Sequence, residues 1–179
     1  MSQIKRFFTT PIYYVNDVPH IGHAYTSIAV DFLARFSRLN GHETRFLTGT
    51  DEHGLKIQKA AEKLSISPLE LCNKNSEIFR NLTKTLNLSN DDFIRTTEDR
   101  HKDGAVHLWN LLFEKGDIYL DEYTGWYSVN DETFYSEKDL IKQNDGTFKT
   151  ITGGPVEWIE EESYFFKLSK YQKKLLNYY

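Results

Sequence analysis

Two short stretches of this sequence carry side chains able to handle a phosphate and an amine. The first is Pro19-His20-Ile21-Gly22-His23, where a loop runs into a periodic apolar segment. A helix N-terminus presents backbone N–H groups to an anion, two imidazoles three residues apart can point the same way, and Gly22 lets a flat ring approach the backbone. Such a cluster suits a nucleoside triphosphate and the charge that develops at a phosphorus under attack. The same histidines would also serve as a turn residue and a helix-surface residue, or as part of a metal site. Zinc, however, needs at least a third ligand, and none is fixed nearby in the sequence. The second stretch is Thr48-Gly49-Thr50-Asp51-Glu52-His53-Gly54. A carboxylate at a strand end between glycines, here Asp51, is placed to bind the ammonium group of a small substrate. As a bare pattern it is also an ordinary polar turn with an Asp helix cap.

The surrounding pattern supplies elements to position these groups. Arg6 to Ile12 is rich in Phe, Thr and Ile and runs into Pro11, which suits a short buried strand ending at a loop. Ile21, Tyr25, Ile28, Phe32, Phe36 and Leu39 recur every three or four residues, which puts them on one helical face, and Asn40-Gly41 stops the helix. Glu43 to Thr48 reads as a second strand. Strand, helix and strand within about 45 residues make one βαβ unit with a parallel pair. Both chemical stretches then fall at strand ends, where ligands bind in open α/β sheets.

Further along, Ser67-Pro68-Leu69-Glu70 combines a capping Ser, a Pro at the first helical position and a Glu able to reach back, so a helix starts here and runs to about Leu86. Another begins at Thr97, with Glu98 and Asp99 set against its dipole, and ends at Gly116. From Asp117 the character changes. Tyr119, Tyr123, Trp126, Tyr127, Phe134 and Tyr135 lie among Gly and Asp in a strand-rich stretch, with Asp145-Gly146 as a hairpin turn between Lys142 and Ile151. Glu160 to Tyr164 then leads through Phe165 and Phe166 into a last helical pattern with Tyr171, Leu175 and Tyr178.

Composition bounds the classes available. The 179 residues suit one ordinary domain, or one carrying a smaller excursion, and 39% hydrophobic residues are enough to form a core. A net charge of −4 argues against a protein that coats DNA or other nucleic acid nonspecifically, although 22 Lys and Arg can still build a local basic face. The single Cys72 excludes an internal disulfide and a multi-cysteine zinc site, and suits a reducing cytoplasm. Met1 to Arg6 has no apolar signal core, and no stretch approaches the roughly 18 apolar residues of a membrane span. A soluble, cytoplasmic protein is expected.

The extended motifs resemble a known family. Phe8-Thr9-Thr10-Pro11-Ile12-Tyr13-Tyr14-Val15-Asn16-Asp17 leading into Pro19-His20-Ile21-Gly22-His23-Ala24-Tyr25 is similar to the first signature of methionyl-tRNA synthetases, whose core is the HIGH motif of class I synthetases. Phe46 to Gly54 and Asp91-Asp92-Phe93-Ile94-Arg95-Thr96-Thr97 extend the likeness. Gly125-Trp126-Tyr127 and Glu161-Glu162-Ser163-Tyr164-Phe165-Phe166 resemble the family's inserted connective peptide and its exit. The resemblance covers nearly the whole chain.

The resemblance implies an α/β fold: the first half of a Rossmann-like HIGH-type nucleotide-binding domain over residues 1–116, an inserted small β-rich connective-peptide lobe over 117–160, and a return into the catalytic domain over 161–179. It implies attack of the methionine carboxylate on the α-phosphate of ATP held with Mg2+, then transfer of the methionyl group to tRNA(Met). His20 and His23 would stabilise the phosphoryl-transfer transition state as catalytic and ATP-binding residues. Gly22 would pack against adenine. Asp51 would hold the methionine ammonium, while Ile12 and Tyr14 would wall its thioether side chain. No lysine-rich KMSKS-like loop follows, so the chain reads as the N-terminal part of such an enzyme, inactive alone. Where many relatives carry a Cys-x-x-Cys zinc knuckle, Ser128 and Asp131 stand, and no zinc is expected. Competing readings are a synthetase for leucine, isoleucine, valine or cysteine, a HIGH-type nucleotidyltransferase, and a noncatalytic module that holds tRNA or a protein.

Overall fold

The first half of the chain is organised around one nine-residue strand, β3 (Glu43–Asp51). The computed structural model describes residues 4–179, so Met1–Gln3 of the N-terminal stretch lie outside it. In it β3 has parallel neighbours on both edges. β1 (Lys5–Thr9) lies beside the first part of β3, β2 (Tyr13–Tyr14) beside its last two residues, and β4 (Asp92–Arg95) along the other edge. Thr50 faces Tyr13 on one side and Arg95 on the other, so β1 and β2 share an edge. They are one strand interrupted around Pro11, which has no N–H to give to a ladder. The strand expected over Arg6–Ile12 therefore stops at Thr9 and resumes at Tyr13.

Helix α1 (Ile21–Leu39) follows β2, while α2 (Leu55–Lys63) and α3 (Pro68–Thr85) link β3 to β4. Ser67 caps α3 by accepting the Glu70 N–H, and Pro68 opens it, as the sequence indicated. One side chain shows that α1 and α3 cover the same face of the sheet. The Tyr13 hydroxyl meets Ser27 Oγ in α1 at 2.9 Å, and its ring stacks on Phe79 of α3 at 5.6 Å. Around it Val15, Ile57, Ala61, Leu71, Cys72, Phe79 and Phe93 form the core of this half.

The apolar stripe of α1 does lie on one face, but that face is turned to solvent. Ile21, Tyr25, Phe32, Phe36 and Leu39 are each more than half exposed, whereas the buried residues of α1 are Ser27, Asp31, Ala34 and Ser37. Small side chains let the helix approach the sheet, and Asp31 ties it to the loop before β4 by accepting the Ser89 N–H and hydroxyl, each at 2.6 Å. Burial pushes the Asp31 carboxyl up, but the bonds from Ser89 and Arg35 outweigh it and hold it below the ordinary carboxylate range.

The chain divides into two compact units, Met1–Val106 and His107–Tyr179, and α4 (Asp99–Glu114) carries it from one to the other. In the second unit β5 (Ile118–Ser128) pairs antiparallel with β9 (Glu157–Phe166) along ten residues, and β6 (Thr133–Tyr135) flanks its last turn of ladder. The expected division between residues 160 and 161 falls inside β9. The hairpin β7 (Ile141–Lys142) to β8 (Phe148–Lys149) turns through Asp145 and Gly146. Aromatic rings pack this unit: Trp126 lies 5.3 Å from Trp158 and 4.8 Å from Phe148, and Tyr123 lies 4.3 Å from Phe134. At the base of the sheet, Asp117 takes hydrogen bonds from Lys170 and Tyr171, while its carbonyl accepts the Lys167 N–H, so the start of β5 and the end of β9 are clasped together before α5 (Gln172–Tyr178). No described helix is long and apolar enough to cross a membrane.

Candidate active site

His20 is the N-cap of α1, and the cap is unusual in using imidazoles. The Gly22 N–H donates to His20 Nδ1 at 3.1 Å, and the His20 N–H donates to His23 Nδ1 at 3.1 Å. This is the reciprocal arrangement of a capping box, with two histidines in place of Ser and Glu. Gly22 is needed for it, because a Cβ there would come within 2.9 Å of His20 Cε1. The His20 ring itself lies close to Gly22 on the side where a Cβ would stand. The two imidazoles lie 3.8 Å apart, centroid to centroid.

Accepting at Nδ1 fixes the tautomer. A neutral imidazole whose Nδ1 takes a hydrogen bond carries its proton on Nε2, so both rings present an Nε2–H donor. Burial, and then the proximity of His20, hold the His23 pKa below the ordinary histidine value, which favours this neutral form. His23 is itself wedged edge-on against Tyr13 at 4.8 Å and against Phe79 at 5.1 Å. Two N–H donors at the positive end of a helix dipole can stabilise charge on a phosphorus under attack without moving a proton.

The register of β2 against β3 brings the second pair together: Tyr14 and Asp51 are directly paired residues. Side chains alternate faces along a strand. Tyr13 and Thr50 face the helices, Thr50 through a 3.1 Å contact with Ser76 Oγ of α3, so Tyr14 and Asp51 share the opposite face at the C-terminal edge of the sheet. Ile12, two residues before Tyr14 and 40% exposed, precedes them on the same edge. Lys56 Nζ of α2 sits 5.6 Å from the Tyr14 ring centre. Asp51 Oδ1 lies 3.5 Å from the His53 backbone N, at the outer limit of a hydrogen bond. Tyr14 and Asp51 therefore stand together at one sheet edge, while His20, Gly22 and His23 form a second cluster at the start of α1.

Several groups that shape this site had no marked pattern in the sequence. Tyr13 lies just past the expected strand and carries no expected role of its own, yet it contacts His23, Ser27 and Phe79 at once. Glu52 is part of a conspicuous acidic run, but its burial was not legible. Its side chain is 0% exposed and accepts bonds from Thr50, Arg95 and Thr97. The one cue was the polar run Arg95-Thr96-Thr97 directly after the apolar pair Phe93-Ile94.

In the second unit, Ser128 and Asp131 hold each other. Ser128 Oγ donates to Asp131 Oδ2 at 2.9 Å, the Asp131 N–H returns to Ser128 Oγ at 3.3 Å, and the Tyr135 hydroxyl also donates to that carboxylate at 3.1 Å. One carboxylate and two hydroxyls do not make the Cys and His donor set of a structural zinc site. Among the described residues no group of three or more His, Cys, Asp or Glu converges to hold a metal.

Comparison with known proteins agrees with this geometry. Residues 6–179 match the family described as tRNA synthetases class I (M). The methionine–tRNA ligase of Mesorhizobium japonicum is 55% identical over all 179 residues, and that of Rickettsia felis is 56% identical over 173 residues, 97% of the chain. The chain spans about a third of the length of these relatives, 35% and 33%. Among solved structures, Mycobacterium tuberculosis methionyl-tRNA synthetase in complex with methionyl-adenylate superposes with a TM-score of 0.87 at 48% identity, covering 99% of this chain and 35% of that one. The apo form of the same enzyme gives a TM-score of 0.69 at 45% identity, covering 99% of this chain and 33% of that one. With a family match across almost its whole length, on a parallel α/β sheet carrying the His20–His23 helix start, the chain belongs to the class I tRNA synthetases of the methionine type.

Proposed function

We propose that this chain forms part of an enzyme that activates L-methionine with ATP and Mg2+ and transfers the methionyl group to tRNA(Met) in the cytoplasm. The observation that carries this reading is the pairing of Tyr14 with Asp51 at the sheet edge in a chain whose α1 begins with His20, Gly22 and His23. Asp51 binds the substrate ammonium as a charge-assisted partner. Ile12 and Tyr14 line the thioether, a flexible and polarizable group suited to an aliphatic and aromatic wall. His20 and His23 donate Nε2–H to the α-phosphate oxygens as the methionine carboxylate attacks and pyrophosphate leaves, and Gly22 lies beneath the adenine. Mg2+ supplies charge neutralisation on the phosphates when bound with ATP.

Residues 1–116 supply the first half of the nucleotide-binding domain and 117–160 the inserted lobe that approaches the acceptor end of tRNA, with 161–179 returning toward the catalytic domain. The lobe needs no zinc, because the Ser128–Asp131–Tyr135 bonds close the turn where a metal knuckle would sit. Support for methionine as the substrate comes from relatives of 55% identity that are methionine–tRNA ligases. The test is pyrophosphate exchange by the complete natural protein with methionine, leucine, isoleucine, valine and cysteine in turn. Methionine-dependent exchange at least about a hundredfold above the others is expected, since buried hydrophobic pockets discriminate one side chain by that order. Equal exchange with a branched aliphatic amino acid would reassign the substrate.

A further inference from the structure

The stretch Asp91-Asp92-Phe93-Ile94-Arg95-Thr96-Thr97 has no part in the chemistry assigned so far, yet its last three residues converge on one neighbour of Asp51. Arg95 reaches Glu52 with two bonds, Nε to Oε1 at 2.7 Å and a terminal nitrogen to Oε2 at 2.9 Å. Thr96 Oγ1 accepts the Glu52 N–H at 2.8 Å, and Thr97 Oγ1 donates to Glu52 Oε2 at 2.5 Å. The carbonyl of Thr96 also meets His53 Nε2 at 3.3 Å. From the other side Thr50 donates to Glu52 Oε1 at 2.7 Å, and Asn73 of α3 accepts from Arg95 at 2.7 Å.

The purpose of so many bonds is not to bury charge cheaply. A carboxylate removed from water needs its partners, and a buried ion pair is often no more stable than an apolar pair of the same shape. What the arrangement does achieve is definition of the backbone between Thr50 and Gly54. The strand ends there, and the chain must turn sharply into α2. Gly54 takes φ +111°, a conformation that side-chain-bearing residues rarely adopt. Glu52 points to the helix face of the sheet, so fixing it fixes Asp51 toward the other face, beside Tyr14.

We infer that Arg95, Thr96 and Thr97, acting through Glu52, are positioning residues that set the direction of the Asp51 carboxylate toward the substrate ammonium. This rests on the reading of Asp51 as the ammonium site. Arg95 and Thr97 bond to the Glu52 carboxylate, so their effect on Asp51 travels through the Glu52 side chain and one peptide unit. Misplacing a binding carboxylate by about 1 Å weakens the bound geometry sharply while the remote nucleotide subsite is untouched. The clamp should therefore show in the methionine constant alone.

The test uses the complete natural enzyme with Thr97→Val, Thr97→Ser, Arg95→Lys and Asp51→Asn, measuring KM for methionine and for ATP in pyrophosphate exchange, with rates per titrated active site. Thr97→Val keeps the shape of threonine and removes only the hydroxyl, so it should fold. Thr97→Val and Arg95→Lys are expected to raise methionine KM by about tenfold with ATP KM within twofold, while Thr97→Ser, which keeps the hydroxyl, restores the wild-type value. Methionine KM within twofold of wild type alongside a lowered melting temperature would overturn the inference, leaving the triplet as a structural clamp only. A parallel rise in both constants would overturn it too, since it reports general loosening. If Asp51→Asn itself leaves methionine KM unchanged, the ammonium site is misassigned and the positioning claim falls with it; an Asp51 effect without a Thr97 effect removes the positioning claim alone.

Discussion

His23 Nδ1 accepts the backbone N–H of His20 at 3.1 Å, so the second histidine of the motif caps the helix that begins at the first. The bond commits Nδ1 of His23 and leaves its proton on Nε2, free to donate to a phosphate oxygen under the proposed function. In the complete enzyme His20→Ala or His23→Ala is expected to slow adenylate formation by about 10²- to 10³-fold, the usual loss for a donor aimed at a transition state. His20→Asn separates the two roles. Asparagine is a good N-cap and has no Nε2–H, so it should keep the melting temperature and still lose the rate. A rate within twofold of wild type in pyrophosphate exchange would make both histidines purely structural.

The same bond carries a pH dependence. Burial, then the nearby His20, lowers the His23 pKa, so the folded state binds its proton less readily than the unfolded chain. The stability this contributes is present in full above the unfolded value of about 6.5 and is lost as pH falls through the lower folded value. Protonating Nδ1 also removes the acceptor of the His20 N–H. Melting temperature measured between pH 5 and pH 8 should fall toward acid in the wild type and fall less in His23→Gln, which cannot titrate. Identical slopes would remove His23 from the account. The buried carboxylates Asp31 and Glu52, both held below their ordinary values, act in a separate window below about pH 4.

Much of the fold was legible in the sequence. The helix over Ile21–Leu39, the cap at Ser67 and the hairpin at Asp145-Gly146 each follow from local signals that tertiary packing had no reason to override. The orientation of α1 was not. Period alone says that Ile21, Tyr25, Ile28, Phe32, Phe36 and Leu39 share a face, but not which side meets the sheet, and here Ser27, Asp31, Ala34 and Ser37 do. The Glu52 cluster was likewise hidden. Its partners lie 43 to 45 residues away, and only strand pairing of β3 with β4 brings them together.

Cys72 offers a check on the core beneath the site. Burial, followed by the charge of Glu52, pushes its thiol up to about 11, and its Sγ donates to the Glu52 carbonyl at 3.6 Å. The thiolate is the reactive form. At pH 7 the folded protein should therefore resist a thiol-specific reagent for as long as it stays folded, and react fully in denaturant. Rapid labelling of the native protein would show that α3 opens over the end of β3.

In the second unit the Ser128–Asp131 turn is expected to hold without metal. A chelator should leave its melting temperature and near-ultraviolet circular dichroism unchanged, and elemental analysis should find no stoichiometric zinc. Ser128→Ala removes a fully buried hydroxyl that both donates to and accepts from Asp131, and is expected to cost about 1 kcal/mol, the net worth of an ordinary hydrogen bond, because the exposed Asp131 carboxylate can turn to water instead. Zinc at one equivalent, lost with chelator together with the fold, would refute this.

The 179-residue chain by itself is expected not to form methionyl-adenylate at a measurable rate, and to self-associate. An open α/β sheet binds nucleotide in the crevice between two βαβ halves, and the sheet described here is β3 flanked by β4 on one edge and by β1 and β2 on the other. The outer edge of β1 is unpaired among the described residues, and parallel sheets are stable almost only when both faces and edges are covered. Helix α1 also exposes Ile21, Tyr25, Ile28, Phe32, Phe36 and Leu39 along one face, an apolar patch of the kind that marks an association surface. In the relatives, about three times as long, there is chain enough to cover it; alone, two copies can cover each other. Sedimentation at rising concentration should show dimers or larger species, and Phe32→Lys, placed mid-stripe where charge resists burial, should shift them toward monomer. Pyrophosphate exchange by the isolated chain within tenfold of the complete enzyme would overturn the first claim. A strictly monomeric chain at about 100 μM, well above the micromolar range in which such a surface commonly binds, would overturn the second.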